Sequence, residues 1–409
     1  MAHIALVEPH VAYAAYTHGF KHKFNYVMRT IPDISEQLQP LDKAIDEFLS
    51  VLFQGREISR LERVIFSLPV RLGGLGIEIP SKISNIQYEN SRLITKQLVD
   101  QIMIQSPSNT VVEQDLKLVK QKMVSSKVER QKLLLDSLSD QLSSDQKKLL
   151  DLTSQKGSSA WLTALPIASQ GFLLSKQEFS DALVIRYGKI LKRLPTNCVC
   201  GQSFSVEHAL SCLTGGYAII RHNSIRDAIA GMLEEVVKDV SIEPVLTPLT
   251  GEKFNRKSTT TDPEARCDVA ARGFWAKGVK VFTDITVFNP MAKSYRTLTQ
   301  KAVYKRLENQ KKSKYAERII QVEKGTFTPL VFSTLGGCGT EAQRFLKQLT
   351  ELYASKRSCD ISKVANLIRT KLSFCILRMT ILCIRGSRHA KVSHDTLDVD
   401  IDTAQARIK

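Results

Sequence analysis

Apolar residues recur every three or four positions through the first part of the chain. The stretches 41–49 and 59–66 both show this spacing, which matches the 3.6-residue period of an amphipathic helix. The segment 68–77 then places three glycines in four positions. Glycine suits a backbone with positive φ or a close approach to another chain. A phosphate-binding loop is the alternative, but no lysine-serine pair follows the glycines as in a P-loop.

Residues 111–155 contain neither glycine nor proline, and their apolar residues are spaced by threes and fours. Most of these side chains therefore fall on one face of a helix. A coiled coil or a partner-binding helix would use such a face, but Ser125, Ser126 and Arg130 interrupt the seam. We favour a helical connector over 106–156, with a domain boundary directly after it.

The later segment 279–288 changes to a period of two, which is typical of a β-strand. Its odd-numbered positions form one apolar face. Asp284 lies on the opposite face, between Phe282 and Phe288. A carboxylate among aromatic side chains on a core strand is costly unless it is paired or bound to a metal. Asp284 is therefore a candidate functional residue rather than a surface charge.

A second acid, Asp268, precedes Asp284 by sixteen residues in the apolar stretch 267–271. The glycines at Gly273 and Gly278 predict a turn between two strands, so a hairpin would bring the two carboxylates together. Carboxylate oxygens are the ligands that Mg²⁺ prefers, and this pair could hold the ion against a phosphodiester. A lysine on the helix that follows could orient or polarise the attacking water.

The remaining pattern predicts one more strand and two helices. The strand is expected at 327–333, and the helices, at 341–353 and 361–384, are expected to pack on the sheet. The tail 391–409 is polar and aperiodic, and we predict that it is disordered. The predicted fold class is a mainly α N-terminal half followed by an α/β domain over 241–390.

Positive charge dominates the composition, with 58 lysine and arginine residues against 41 acidic ones and a net charge of +17. A surplus of this size attracts a polyanion, and nucleic acid is the usual one. Nine of the basic residues fall between 293 and 318. A solvated helix face is the alternative explanation for that run, but beside the acid pair we expect a DNA-phosphate face at least as readily.

Three of the eight cysteines lie close to one histidine, whereas the other five are scattered. This distribution favours a metal site in a reducing compartment over a disulfide framework. The sequence has no run of eighteen apolar residues, so no membrane span is predicted. The N-terminus lacks the pattern of a signal peptide, and we expect a protein that is not secreted.

Cys198, Cys200, His208 and Cys212 have the spacing of a zinc knuckle, within a helical region predicted for 157–240. His208 and Cys212 are four positions apart and would share one face of a helix. With the two cysteines on a turn, they can converge tetrahedrally on Zn²⁺. Only one residue separates the first two cysteines, where two to four is usual, and four unrelated residues are the alternative. Because four protein ligands leave no open position, we predict a structural zinc site.

The segment 68–77, Leu-Pro-Val-Arg-Leu-Gly-Gly-Leu-Gly-Ile, and the upstream segment 14–20, Ala-Ala-Tyr-Thr-His-Gly-Phe, resemble the region just after the palm in reverse transcriptases of non-LTR retrotransposons. The resemblance implies that 1–105 is the thumb-like tail of such a polymerase. The polymerase site of that family needs an aspartate pair on a palm hairpin. This sequence contains no two consecutive aspartates, so we do not expect polymerase activity.

The C-terminal pattern resembles the restriction-like endonuclease domain of site-specific non-LTR retrotransposons, a PD-(D/E)XK-type fold that follows a CCHC knuckle. By this resemblance Asp268 and Asp284 are the metal-binding acids. Glu243-Pro244 is similar to the step that precedes the first strand of that domain. Two residues depart from the simple motif: Cys267 replaces its proline and Thr286 replaces its lysine.

In the retrotransposon branch of this fold the lysine moves to the following helix. The set Lys311-x-x-Lys314-Tyr315 resembles that displaced motif. The resemblance implies a catalytic role for these three residues, with Lys311 preferred as the catalytic lysine and Lys314 next.

The function implied is that of a Mg²⁺-dependent endonuclease that nicks one strand of DNA, whose 3′-OH would prime reverse transcription. DNA and the element RNA are the implied partners, and the nucleus, or otherwise the cytoplasm, is the implied location. A nucleic-acid-binding module with a decayed catalytic set is the alternative, and a helical scaffold built on 111–155 has least support. The candidate nucleic-acid contacts are Arg221, Lys301, Lys305 and Lys312. For His222, a phosphate contact or a metal ligand competes with a partly buried structural role, which we favour.

Overall fold

The computed structural model describes residues 1–105, 113–198 and 200–386. Within it the chain divides into two compact units. The first comprises Met1–Asp151 and Ser175–Leu183, and the second comprises Leu152–Leu174 and the chain from Val184 onward. The connector predicted over 106–156 stays a prediction, and the tail predicted to be disordered lies outside the described residues.

Helices build the first unit, as the apolar spacing predicts. The pattern over 111–155 forms two helices rather than one, because the chain turns after Ser139 and starts again with Ser143 as a cap. In chain order the helices are α1 (Ala2–Val7), α2 (Pro9–His18), α3 (Asn25–Thr30), α4 (Gln39–Leu52), α5 (Arg60–Ser67), α6 (Pro80–Ile104), α7 (Glu113–Ser139) and α8 (Ser144–Ser154), with short 3₁₀ helices at Phe20–Phe24 and Val70–Leu72.

Helix α5 begins with a reciprocal cap. The Ser59 hydroxyl accepts from the N–H of Glu62 at 3.3 Å, and the Glu62 carboxylate accepts from the N–H of Ser59 at 3.0 Å; this satisfies two donors at the helix start. One turn later the buried Arg63 donates to the carbonyls of Ile77 at 2.7 Å and Glu78 at 3.0 Å. These bonds fasten the end of the glycine segment to α5.

The glycine segment folds back on its own backbone. The N–H of Gly76 donates to the carbonyl of Leu68 at 2.8 Å, and that of Leu75 donates to Phe66 at 3.1 Å. A Cβ atom on Gly74 would lie 1.9 Å from the Leu68 carbonyl oxygen, so only glycine fits there. Because these N–H groups are used within the chain, they do not form a phosphate cradle.

Seven further α-helices follow in the described part of the chain, with a 3₁₀ helix at Ala168–Gln170 and a π-helix at Ile319–Glu323. Helices α8 and α10 both start in the first unit, and their last residues belong to the second. The helices are α9 (Ala160–Thr163), α10 (Lys176–Arg186), α11 (Val206–Ser211), α12 (Tyr217–Glu234), α13 (Gln300–Arg318), α14 (Thr340–Arg357) and α15 (Ile361–Arg385). The last two confirm the helices predicted at 341–353 and 361–384. No helix in the described part of the chain is long and apolar enough to span a membrane.

A mixed four-stranded sheet lies in the second unit. Its strands run in the order β1 (Lys238–Ile242), β2 (Val269–Arg272), β3 (Lys280–Phe288) and β4 (Thr326–Ser333). The first three strands are antiparallel, and β4 is parallel to β3. The predicted hairpin and the late strand are both confirmed, whereas the expected place of Glu243-Pro244 is wrong because that step follows β1 instead of preceding the first strand.

Helix α13 connects the parallel strands β3 and β4 and covers one face of the sheet. Phe282 packs in a cluster with Tyr315, and Phe288 packs in a cluster with Tyr304. Asp284 shares the face of these two phenylalanines, as the alternation predicts, and that face is the one that α13 covers. The coarse fold class is shown: helices form the first half, and helices around a small mixed sheet form the second.

Replacing Gly74 by alanine should destabilise the first unit by about 3 kcal/mol, because the new methyl group would overlap a backbone carbonyl that cannot rotate away. Gly76→Ala is the matched control. Its Cβ meets open space at a φ of +67°, so we expect a loss of only about 1–2 kcal/mol. Urea denaturation followed by circular dichroism measures both, and equal losses would contradict the close-approach argument.

Candidate functional site

The β2–β3 hairpin places Asp268 beside Asp284. Val269 pairs with Thr283 in the register of the two strands, and the N–H of Asp268 donates to the Thr283 carbonyl at 2.9 Å. The Asp268 Oδ2 atom accepts from the N–H of Ile285, the residue after Asp284. The two acids are thus neighbours across the start of the hairpin, as the sequence predicts.

Lys311 of α13 reaches the second acid. Its Nζ atom lies 2.7 Å from Asp284 Oδ2, and only 8% of the Asp284 side chain is exposed, against 28% for Lys311. Among the basic residues of α13, the preferred catalytic lysine is therefore the one ion-paired with a buried acid. The pair sits where α13 crosses the face of β3.

Burial sets the protonation of this cluster. It raises the pKa of the Asp284 carboxyl above its ordinary value of 3.8; the nearby Lys311 ammonium opposes that shift and the Asp268 charge adds to it. Burial and the Asp284 charge also raise the pKa of the Cys267 thiol, so Cys267 stays protonated next to the acids.

His222 joins the cluster from α12. Its Nε2 atom lies 2.9 Å from Asp268 Oδ1, and because a carboxylate only accepts, the ring nitrogen donates. One turn later Arg226 is paired with Glu243. The sequence prediction favoured a structural role for His222 and did not link it to Asp268; no local signal marks the contact, because the two residues are 46 positions apart.

The other two members of the displaced motif differ from Lys311. Tyr315 is buried in the cluster with Phe282 and Cys267, and burial, with the Asp284 charge, raises its pKa to about 12. It is a neutral core residue next to the acids. Lys314 is exposed, with its Nζ atom 4.7 Å from the centre of the Tyr315 ring.

The predicted nucleic-acid contacts separate into three kinds. Lys301 and Lys305 are exposed on α13. Lys312 is paired with Glu341 at 2.6 Å. Arg221 is only 5% exposed, and its guanidinium lies 3.8 Å from Cys383 Sγ. The prediction for Arg221 is corrected on this point, because a buried guanidinium offers no surface to a phosphate.

Cys198, Cys200, His208 and Cys212 form a cluster that could hold a metal ion. Their ligand atoms all lie within 4.8 Å of one another. The Sγ atoms of Cys198 and Cys212 are 3.9 Å apart, and Cys200 Sγ lies 3.3 Å from His208 Nε2. Bonds of about 2.3 Å to sulfur in a tetrahedron require sulfur atoms roughly 3.8 Å apart, so the spacing and the soft donor set suit Zn²⁺.

Local structure brings these four ligands together. The chain turns at Gly201, whose φ is +84°, and the Cys198 N–H donates to the Gln202 carbonyl at 2.8 Å. The Ser205 hydroxyl then caps α11 by accepting from the N–H of His208 at 3.0 Å. The Cys200 backbone N–H and His208 lower the pKa of the Cys198 thiol to about 7, which favours the thiolate that a metal binds.

No protein-family model matches this sequence, and no curated protein matches it.

Replacing Asp284 by asparagine should raise the thermal midpoint at pH 7, because a raised pKa means that the folded state holds the charged carboxylate at a cost. The cost is complete above the folded-state pKa. It disappears as pH falls toward the ordinary value of 3.8, because the folded protein takes up the proton first. The stability gained by the variant should therefore shrink between neutral pH and about pH 4.

Scanning calorimetry across this pH range measures the effect. Asp239→Asn is the matched control, because the Asp239 carboxylate is 62% exposed beside Arg272. It should show no comparable gain. A variant at position 284 with the stability of wild type at every pH would contradict the burial argument.

Proposed function

We propose that the second unit is a Mg²⁺-dependent DNA endonuclease that nicks one strand, with a restriction-like fold of the kind found in site-specific non-LTR retrotransposons. The observation that supports this most is the ion pair between Lys311 and the buried Asp284, beside Asp268. Two acids and one lysine from a hairpin and the next helix match the parts that such a reaction needs.

The donors present fit a magnesium ion. Asp268 and Asp284 offer carboxylate oxygens, which are the protein ligands that Mg²⁺ takes most often. Thr286 follows Asp284 on the same face of β3, and its buried hydroxyl oxygen has no hydrogen-bond partner within the described part of the chain. In our proposal the two acids hold the ion, which when bound polarises a phosphoryl oxygen and makes a bound water more acidic.

Lys311 has two tasks in this proposal. Its ammonium group compensates the charge of Asp284 in the free protein. Its side chain is partly exposed, so the same group can hold the scissile phosphate or orient the attacking water and offset negative charge that develops during attack. Tyr315 supports the centre from the core, because its ring packs in the cluster with Cys267 and Phe282, the neighbours of Asp268 and Asp284 in their strands.

DNA would lie along α13 in this arrangement. Lys301, Lys305 and Lys314 are exposed on that helix, and lysines at a surface neutralise phosphates without reading sequence. The net charge of +17 supports a polyanionic partner. DNA and the element RNA are the proposed partners, and the nucleus is the proposed location.

The Cys3His cluster would be a structural zinc knuckle. Four protein ligands complete a tetrahedral site and leave no position for a substrate. The order of elements, with the knuckle first and the acid hairpin and lysine helix after it, is that of the retrotransposon domain. The first unit would be the thumb-like region, and we propose no polymerase activity for this chain.

Nicking of supercoiled plasmid in Mg²⁺ tests the proposal. We expect Asp268→Ala, Asp284→Ala and Lys311→Ala each to lower the rate about 100-fold or more, as the loss of a group that stabilises developing charge does. The matched controls, Asp262→Ala and Lys347→Ala, remove exposed charges outside the proposed catalytic set and should cut like wild type. If the first three variants nicked the plasmid at the wild-type rate, the catalytic assignment would be wrong.

A nucleic-acid-binding module with a decayed catalytic set is the second candidate. The buried thiol of Cys267 favours it, since this residue replaces the proline of the motif directly beside Asp268. In that case the wild-type chain would bind DNA with an affinity that falls steeply with salt, and it would not cut at any Mg²⁺ concentration.

The purified chain should contain about one zinc ion, measured by elemental mass spectrometry. Cys212→Ser should lose it, because three ligands bind zinc far more weakly than four. Cys359→Ser is the control, since Cys359 lies outside the cluster. If both variants contained the same amount of zinc, the assignment of zinc to the Cys3His cluster would be wrong.

A further inference from the structure

Two separate elements hold the two carboxylate oxygens of Asp268. Oδ1 accepts from Nε2 of His222 on α12 at 2.9 Å, and Oδ2 accepts from the backbone N–H of Ile285 on β3. The His222 side chain is 33% exposed and that of Asp268 is 17% exposed. The carboxylate is thus fixed in orientation but still accessible from solvent.

Two successive turns of helix α12 contact Asp268 and Glu243. His222 reaches Asp268 itself, and Arg226, four residues later, pairs with Glu243. The N–H of Glu243 in turn donates to the carbonyl of Asp268 at 2.9 Å. The same helix also packs on α15, where Cys375 Sγ lies 3.6 Å from the Ser224 carbonyl oxygen. The helix therefore presents the imidazole from a rigid support.

We propose that His222 is a positioning residue for the nuclease centre, which fixes the carboxylate plane of Asp268 for the metal ion and the phosphate. This inference rests on the proposed endonuclease function. A ligand oxygen that turns freely must be ordered when the ion binds, whereas one held by an N–H donor is ordered beforehand. The pair is partly exposed, so it adds little to stability, and its main effect is on orientation.

The experiment compares His222→Ala with His222→Gln in the full chain. Alanine removes the donor, and glutamine restores an N–H at a similar reach. We expect alanine to lower kcat for nicking 10- to 100-fold, the usual cost of losing a partner of a metal ligand, with KM for DNA within about threefold of wild type. Glutamine should recover most of the loss. Asn223→Ala, the next position on α12, is the matched control and should cut like wild type.

A second measurement does not depend on cutting. Isothermal titration with Mn²⁺ in the absence of DNA should show a site that Asp268→Ala abolishes and that His222→Ala weakens about tenfold. The positioning role is wrong if His222→Ala keeps wild-type kcat and Mn²⁺ affinity, or if glutamine restores neither.

The two measurements also separate this inference from the proposed function. A wild-type chain that does not nick contradicts the endonuclease function. If its Mn²⁺ site still depends on Asp268 and is weakened by His222→Ala, the positioning role stands. If the wild-type chain does not nick and has no Mn²⁺ site that depends on Asp268, both the endonuclease function and the positioning role are wrong.

Discussion

The burial of the Asp284 carboxylate away from water is the constraint that the arrangement of the site in the second unit has to meet. Asp284 stands in a core strand between two phenylalanines, where hydration cannot balance its charge. Lys311 supplies the balance, and it can do so because the connection between two parallel strands lays α13 across that face of the sheet. The compensation is incomplete, as the raised pKa of Asp284 shows. Charge held at a cost in stability is typical of sites that stabilise a reacting group.

Local patterns were enough to predict β2, β3 and β4 and the face of β3 on which Asp284 lies, but they did not predict β1. A period of two is a property of neighbouring residues, so β3, the hairpin and the place of Asp284 on the face opposite the odd-numbered residues follow from residues 267–288 alone. The Cys3His cluster could be predicted from the sequence as well, because a turn and one helical turn are enough to bring its four residues together. Choosing Lys311 among the basic residues of α13 needed the family resemblance as well as the spacing.

The contacts of α12 could not be predicted from local sequence patterns. The bond between His222 and Asp268 depends on how a helix packs on a distant hairpin, and no spacing encodes that. The error at Arg221 was avoidable, however. Arg221 precedes the buried Ile225 and Ile229 by one and two helical turns, so the helical spacing of these apolar residues assigns it to the interior. A basic residue is not at the surface merely because it is charged.

Helix α12 also connects the Cys3His cluster with the cluster around Asp268. It starts five residues after Cys212, past two glycines with positive φ at Gly215 and Gly216, and its second turn contains His222. The preceding α11 is tied to the segment before α13 by the Glu207 carboxylate, which accepts from the N–H of Lys293 at 2.7 Å. One short stretch of chain, from Cys212 to His222, thus links the Cys3His cluster to the carboxylate of Asp268.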